Sequence, residues 1–405
     1  MSPVSRGRKK KTTKKKKYRS IPPPAARYQD VVLPPFPDLP PFADLAESMP
    51  EWFYTGITNV LGNADVLLTA STARQVEQAT AELLGAELHR ATSEHEDGLY
   101  FSEWFKHLAE AAAQADRETT ARLLVGMTML APSNLRTHAE SALDRVAKHL
   151  PDWLRDLDEI EAVGDVWKMA DVYGARIALI ASYVDSGDLP GCYLFDIQAD
   201  VDPIALIAPG LFDDLDQAAE AWRAAVGETA MGAEPVLVHS PDDLEPLGYL
   251  PTGDDILGIL GDETRAAMDN WFRTSRRLGE LEWSLDKRGE LLIPSSGSLH
   301  HGFDIEPLVT EFTAWYRDKH GAAPDSDVVR ALATDWAMGV LPQLWHSVSP
   351  PRVAAQVAMF ADDWAPDNPL TARAKAVFPD WVRWNGEQSD LPEHLIEQAV
   401  ASAVR

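Results

Sequence analysis

The sequence predicts a mainly α protein with a small α+β unit built on an antiparallel sheet. Helical bundles flank that unit, and a disordered basic tail precedes the whole. Three observations predict this. Apolar residues recur with a helical period over 46–163 and again from Asp254 onward. Between those stretches, β-prone runs crowd together with connections too short for parallel crossovers. The first nineteen residues hold ten of the chain's 37 basic side chains and no acid.

The tail cations are Arg6, Arg8, Lys9, Lys10, Lys11, Lys14, Lys15, Lys16, Lys17 and Arg19. The other 386 residues carry 27 basic against 63 acidic groups, a net charge of −36. Nine prolines follow within 21–50, and proline fixes φ and removes an amide donor. Residues 1–45 are therefore expected to be a disordered cationic arm on a polyproline linker. Its Pro37-x-x-Pro40 spacing reads as linker rather than as a ligand for an SH3-like partner.

The first helical domain is expected over 46–163. Val76, Ala79, Leu83, Leu84 and Leu88 share one side of a helix from Ala73. Glu103 to Met129 reads as a helical pair broken near Ala115-Asp116, and Ser133 is placed to cap the next helix. The α+β domain is expected over 164–250. Its strands are Val172–Val184, Cys192–Ile197, Ile204–Ile207 and Pro235–Val238, with a helix capped by Asp213 before the last.

The C-terminal helical domain is expected over 251–405. Its helices are predicted near 254–283, 304–320, 325–340, 350–363, 369–386 and 391–404, the fourth opened by Ser349-Pro350. Lys287-Arg288-Gly289-Glu290 can instead turn a small hairpin. Arg145 to Arg155 aligns without gaps on Arg373 to Arg383, sharing Arg, Pro, Asp, Trp and Arg, an echo open to a duplicated helical unit or to coincidence.

Composition excludes several function classes. A single cysteine, Cys192, forbids an intramolecular disulfide framework and suits a reducing, cytoplasmic compartment. No apolar run approaches the ~20 residues that span a bilayer, so no membrane association is expected. The body's bias to arginine over lysine, with abundant alanine, matches the residue usage of a high-GC bacterium.

The arm carries the main partner signal. Lysine and arginine neutralise phosphates and release counterions, which suits nucleic acid or a ribosome. Arg6-Gly7-Arg8-Lys9 resembles an AT-hook, with Lys9 where that family's core has proline. The resemblance implies arginines laid along a minor groove. The competing readings are docking on an acidic protein surface, the chain's own included, and a solvated tail.

The body offers weaker candidates. His300, His301 and Asp304 on a Ser/Gly-rich segment can form a metal or hydrolytic site, although adjacent histidines diverge in extended chain and Asp304 can simply cap a helix. Glu94-His95-Glu96-Asp97 with Glu103 and His107 departs from the di-iron spacing and reads as a solvated helix face. Asp213-Asp214, Asp242-Asp243 and Asp254-Asp255 fall at predicted helix starts, where capping accounts for them, while Asp362-Asp363 falls near a helix end. Arg273, Arg276 and Arg277 are expected to pair along their own helix with Asp269 and Glu280. Cys192 reads as a structural thiol. Most of Trp315, Trp336, Trp345, Trp364, Trp381 and Trp384 read as core.

Phosphate-loop and nucleophile-elbow motifs are absent, so no catalytic residue, resident metal or cofactor is predicted. The leading expectation is a binding or regulatory protein tethered through its arm. The alternatives are an enzyme or small-ligand sensor with a site between the α+β unit and a helical domain, and a protein-interaction scaffold.

Overall fold

The helical period of the first domain is realised as five helices. They are α1 (Glu51–Asn63), α2 (Ala73–His95), α3 (Phe101–Ala115), α4 (Glu118–Leu130) and α5 (Ser133–Val146). The computed structural model describes residues 51–95, 101–155, 157, 160–185, 189–250, 264–289, 293, 304–362, 364 and 368–404. The arm and linker fall outside that set. The expected break at Ala115-Asp116 is present, and Asp116 makes the turn with a φ of 47°. Ser133 is already helical, and Pro132 occupies the cap position before it. Helix α4 is apolar nearly all round because it lies between neighbours, with Leu123, Leu124, Val125 and Met127 all buried.

The strands are β1 (Glu161–Ala170), β2 (Arg176–Asp185), β3 (Leu189–Gln198), β4 (Ala205–Leu206), β5 (Gly210–Phe212) and β6 (Val236–Leu237). They form an antiparallel sheet ordered β4-β3-β2-β1-β6, with β5 also paired to β3. Two corrections follow. Strand β1 begins at Glu161, inside the stretch read as helical, and β5 was not anticipated. Glu161, Asp165 and Lys168, with a register shift between Ala162 and Val166, hide the alternation that marks a strand.

Helix α6 (Leu215–Val226) is capped by Asp214, whose side chain accepts the Gln217 N–H at 2.8 Å. The predicted cap, Asp213, instead pairs with Arg74 at 2.7 Å. Strand periodicity divides β3 between two faces. Cys192 and Leu194 join Ala218, Ala219 and Trp222 in a core beneath α6. Tyr193 points to the opposite face, where its hydroxyl meets Thr274 on α7 (Arg265–Arg288) at 2.7 Å. Helix α7 packs on both β1 and α2, which joins the sheet to the first bundle.

The C-terminal helices are α8 (Glu306–His320), α9 (Ser326–Ala337), α10 (Pro350–Asp362), α11 (Pro369–Gln388) and α12 (Glu393–Ala403). The expected Ser349-Pro350 start is present, with Ser349 Oγ accepting the Arg352 N–H at 3.3 Å. Trp336, Trp381 and Trp384 are buried in this core, and Trp315, Trp345 and Trp364 pack against it. Tyr173 and Ala175, from the β1–β2 turn, belong to the same core. The tip of a sheet hairpin is thus inserted into the helical bundle.

The sequence echo does not survive as a structural repeat. Arg145–Arg155 ends α5 and runs through two 3₁₀ turns, whereas Arg373–Arg383 lies within the continuous α11. Trp153 is 39% exposed, whereas Trp381 is buried. Lys287 and Arg288 end α7 and Gly289 closes it in the left-handed conformation, so no hairpin turns at Lys287.

Candidate ligand cleft

The inserted hairpin tip brings the end of β3 against α9, α10 and their connection. Beyond Gln198 the chain continues through Asp200, Val201 and Asp202. Asp200 is fully buried and both its oxygens are engaged. One accepts Gln198 Nε2 at 2.5 Å, and the other accepts the Ser347 hydroxyl at 2.6 Å. Asp171, at the end of β1, accepts the amides of Ala175 and Arg176 at 2.9 and 3.2 Å. Burial raises the Asp171 pKa to about 6, and the nearby charge of Asp200 adds to the rise.

Across from these acids, Arg352 is buried on α10. Its guanidinium donates to the carbonyls of Leu344, Ser347 and Trp336, and stacks 4.1 Å from the Trp336 ring centroid. Burial lowers its pKa to about 9, against the opposing pull of Asp200. Its hydrogen bonds thus hold the connection between α9 and α10.

These elements border a small, partly open cleft. Asp200, Asp202 and Asp335 contribute carboxylates, and Trp336, Met338 and Met359 contribute apolar wall. Gly339 has a φ of 70°, and a Cβ there would come 2.0 Å from Asp202 Cγ, so this wall requires glycine on both counts. Asp335 is oriented by Trp364 Nε1 at 2.7 Å. Gln356 also lines the cleft and is 4% exposed. Its Nε2 lies 3.7 Å from the sulfur of Met359.

The residues singled out in the sequence lie elsewhere. The ten arm cations, His300, His301, Asp254 and Asp255 are outside the described residues, as are the side chains of Glu94, His95, Asp362 and Asp363. Asp304 accepts the Glu306 amide at 3.1 Å just ahead of α8, while Ile305 holds the N-cap position. Glu103 pairs with Lys106 at 2.6 Å, and His107 bonds the Glu103 carbonyl at 2.9 Å. Asp243 pairs with Lys168 at 2.9 Å. Cys192 is buried beside Ser182, and burial raises its thiol pKa.

The arginine cluster on α7 corrects the helical-pair expectation. Asp269 pairs with Arg265 and Glu280 with Arg276, whereas Arg273 and Arg277 both reach inward to Glu77 on α2. Asp200, Asp202, Asp335 and Gln356 were not singled out from the sequence. The Asp200-x-Asp202-Pro203 run between strands was the available signal, but its companions on α9 and α10 lie more than a hundred residues away.

No helix among the described residues is long and apolar enough to cross a membrane. No protein-family model, curated protein or solved structure matches the chain.

Proposed function

We propose that this is a non-enzymatic, cytoplasmic binding or regulatory protein whose N-terminal arm tethers it to nucleic acid or a ribonucleoprotein. The observation that carries the reading is the segregation of charge, with ten cations in nineteen residues against a remainder of net charge −36. Within the folded part, positive side chains are widely committed to carboxylates. Arg136, Arg145, Arg330, Arg373 and Arg383 each meet an Asp or Glu at the surface. Phosphate contact therefore falls to the arm, and the acidic body disfavours broad contact with a polyanion.

The test compares the full chain with one lacking residues 1–20, using labelled RNA and DNA at several salt concentrations. The full chain is expected to bind with an affinity that falls as salt rises, at a log–log slope of roughly −0.9 per phosphate neutralised on duplex DNA. The shortened chain is expected to lose that binding. Equal binding by both chains overturns the proposal.

A further inference from the structure

We infer that the joint between the sheet and the C-terminal helical bundle is a proton-controlled latch, tight when the Asp171 carboxyl is protonated and loosened when it ionises. The inference does not rest on the arm's function.

The joint is narrow. Among the described residues, no helix of the C-terminal bundle packs broadly on a strand of the sheet or on a helix of the first bundle. The connection runs instead through the turn between β1 and β2 and through the link between α9 and α10. Tyr173 and Ala175 of the turn enter the C-terminal core, and Leu344 Cδ2 lies 4.0 Å from where a Cβ on Gly174 would stand. From the link, Ser347 donates its hydroxyl to Asp200, and Gln343 donates to Glu245 at 2.9 Å.

Two carboxylates organise the sheet side of this joint. Asp171 Oδ1 accepts the amides of Ala175 and Arg176, which shapes the inserted turn. The Ala175 carbonyl accepts the Ala199 amide at 2.9 Å, and Asp200 follows Ala199 in the chain. A short relay of hydrogen bonds through Ala175 thus links the two acids.

Neither acid is neutralised by a counter-ion. Among the described residues, no cation pairs with Asp171 or Asp200. Arg176 of β2 is committed to Asp196 of β3 at 2.7 and 2.8 Å, and Lys168 of β1 to Asp243. Arg352 of α10 is turned to backbone carbonyls and the Trp336 ring. Asp202 and Asp335, beyond β3 and on α9, add only negative charge, and Glu228 is exposed beside Thr229, which accepts the Val172 amide. Burial raises the Tyr173 pKa, so that hydroxyl stays neutral, and His346 of the link bonds Asn385 Oδ1 at 2.9 Å.

Two like charges without a counter-ion in a partly desolvated joint oppose each other, so ionising both is disfavoured. Burial, aided by the charge of Asp200, raises the Asp171 pKa to about 6. Below that value the neutral carboxyl leaves the turn seated. Above it, charge stands against charge where the turn enters the bundle, and release of the turn into water is favoured.

Hydrogen exchange of the full chain, read by mass spectrometry at pH 5 and pH 8 and scaled for intrinsic rates, tests this. Peptides covering the β1–β2 turn and the α9–α10 link are expected to lose protection by roughly tenfold between the two pH values. That factor follows from a carboxyl pKa of about 6 when closed and 3.8 when open. Peptides from α4 are expected to keep theirs, and Asp171→Asn is expected to abolish the difference at the joint.

Equal protection of the joint at both pH values overturns the proposal. So does an equal loss in α4, which would mean general loosening. Persistence of the difference in Asp171→Asn would assign it to another group, such as His346, and overturn it as well. If Asp171→Asn does not fold, Asp200→Asn decides. Removing the facing charge is expected to shrink the difference, and an undiminished one is a refutation.

Discussion

Glu77 and Arg277 lie 200 residues apart in sequence and meet in the interior, where Arg277 Nη2 reaches both Glu77 oxygens at 3.1 Å. Neither side chain is exposed, and Arg273 Nε adds a third contact at 2.9 Å. Burial alone would raise the Glu77 pKa. The charges and hydrogen bonds of the two arginines outweigh it, and the net shift is downward. The pair joins α2 to α7, and α7 carries the sheet: Tyr183 donates to the Arg277 carbonyl at 2.6 Å.

Removing the shared carboxylate would strand two buried guanidinium groups. Glu77→Gln is therefore expected to lower unfolding free energy by about 3–5 kcal/mol. Replacing Glu77, Arg273 and Arg277 together by Met and Leu is expected to cost less than the single change, because no unpaired charge remains buried. Urea unfolding of the two variants checks this, and a triple variant less stable than Glu77→Gln would refute it.

Asp171 sets a dependence on pH. Its folded-state pKa of about 6 lies above the ordinary 3.8, so the native protein holds this proton more tightly than the unfolded chain does. Its contribution to stability is thus greatest at acid pH and is lost as pH rises through about 6. Asp171→Asn keeps an oxygen for the Ala175 and Arg176 amides while removing the buried charge. The variant is expected to gain thermal midpoint over the parent above pH 6 and to lose that advantage toward pH 4, as differential scanning calorimetry across the range would record. A constant difference at all pH values would rule out this carboxyl as the cause.

The helices were legible because their apolar residues repeat with the helical period, and the bend at Asp116 was legible from polar residues interrupting that repeat. Strand β1 was not, since its outward charges and register shift break the alternation. Arg273 and Arg277 offered acids at helical spacing, and that local solution concealed a partner nearly two hundred residues away. The cleft was hidden for the same reason. Asp200, Asp335 and Gln356 are adjacent only because Tyr173 and Ala175 anchor the sheet in the C-terminal core.

Two glycines in helices predict opposite outcomes. Helix α4 crosses α2 so closely at Gly126 that an added Cβ would come 2.0 Å from Thr80 Oγ1 and 2.5 Å from its Cβ. Gly126→Ala must push the helices apart and is expected to cost about 1–3 kcal/mol. Gly279 lies on the exposed side of α7, with nothing within 4 Å of an added Cβ. Gly279→Ala is expected to stabilise by about 0.5–1 kcal/mol through helix propensity alone. Chemical denaturation of both variants reads the pair, and a stabilising Gly126→Ala would show that α2 and α4 do not approach as described.

Cys192 provides a probe of the sheet that leaves the fold untouched. It is 5% exposed between β3 and α6, and burial pushes its thiol pKa above the ordinary 9.0, so little thiolate is present near neutrality. An aromatic disulfide reagent is therefore expected to react far more slowly with the native protein than with the unfolded chain. Because α6 covers the thiol through Trp222, truncating that ring (Trp222→Ala) should open a cavity and accelerate labelling under native conditions. Stopped-flow absorbance follows both reactions. Native labelling as fast as that of the unfolded chain would mean that α6 does not protect this face of the sheet.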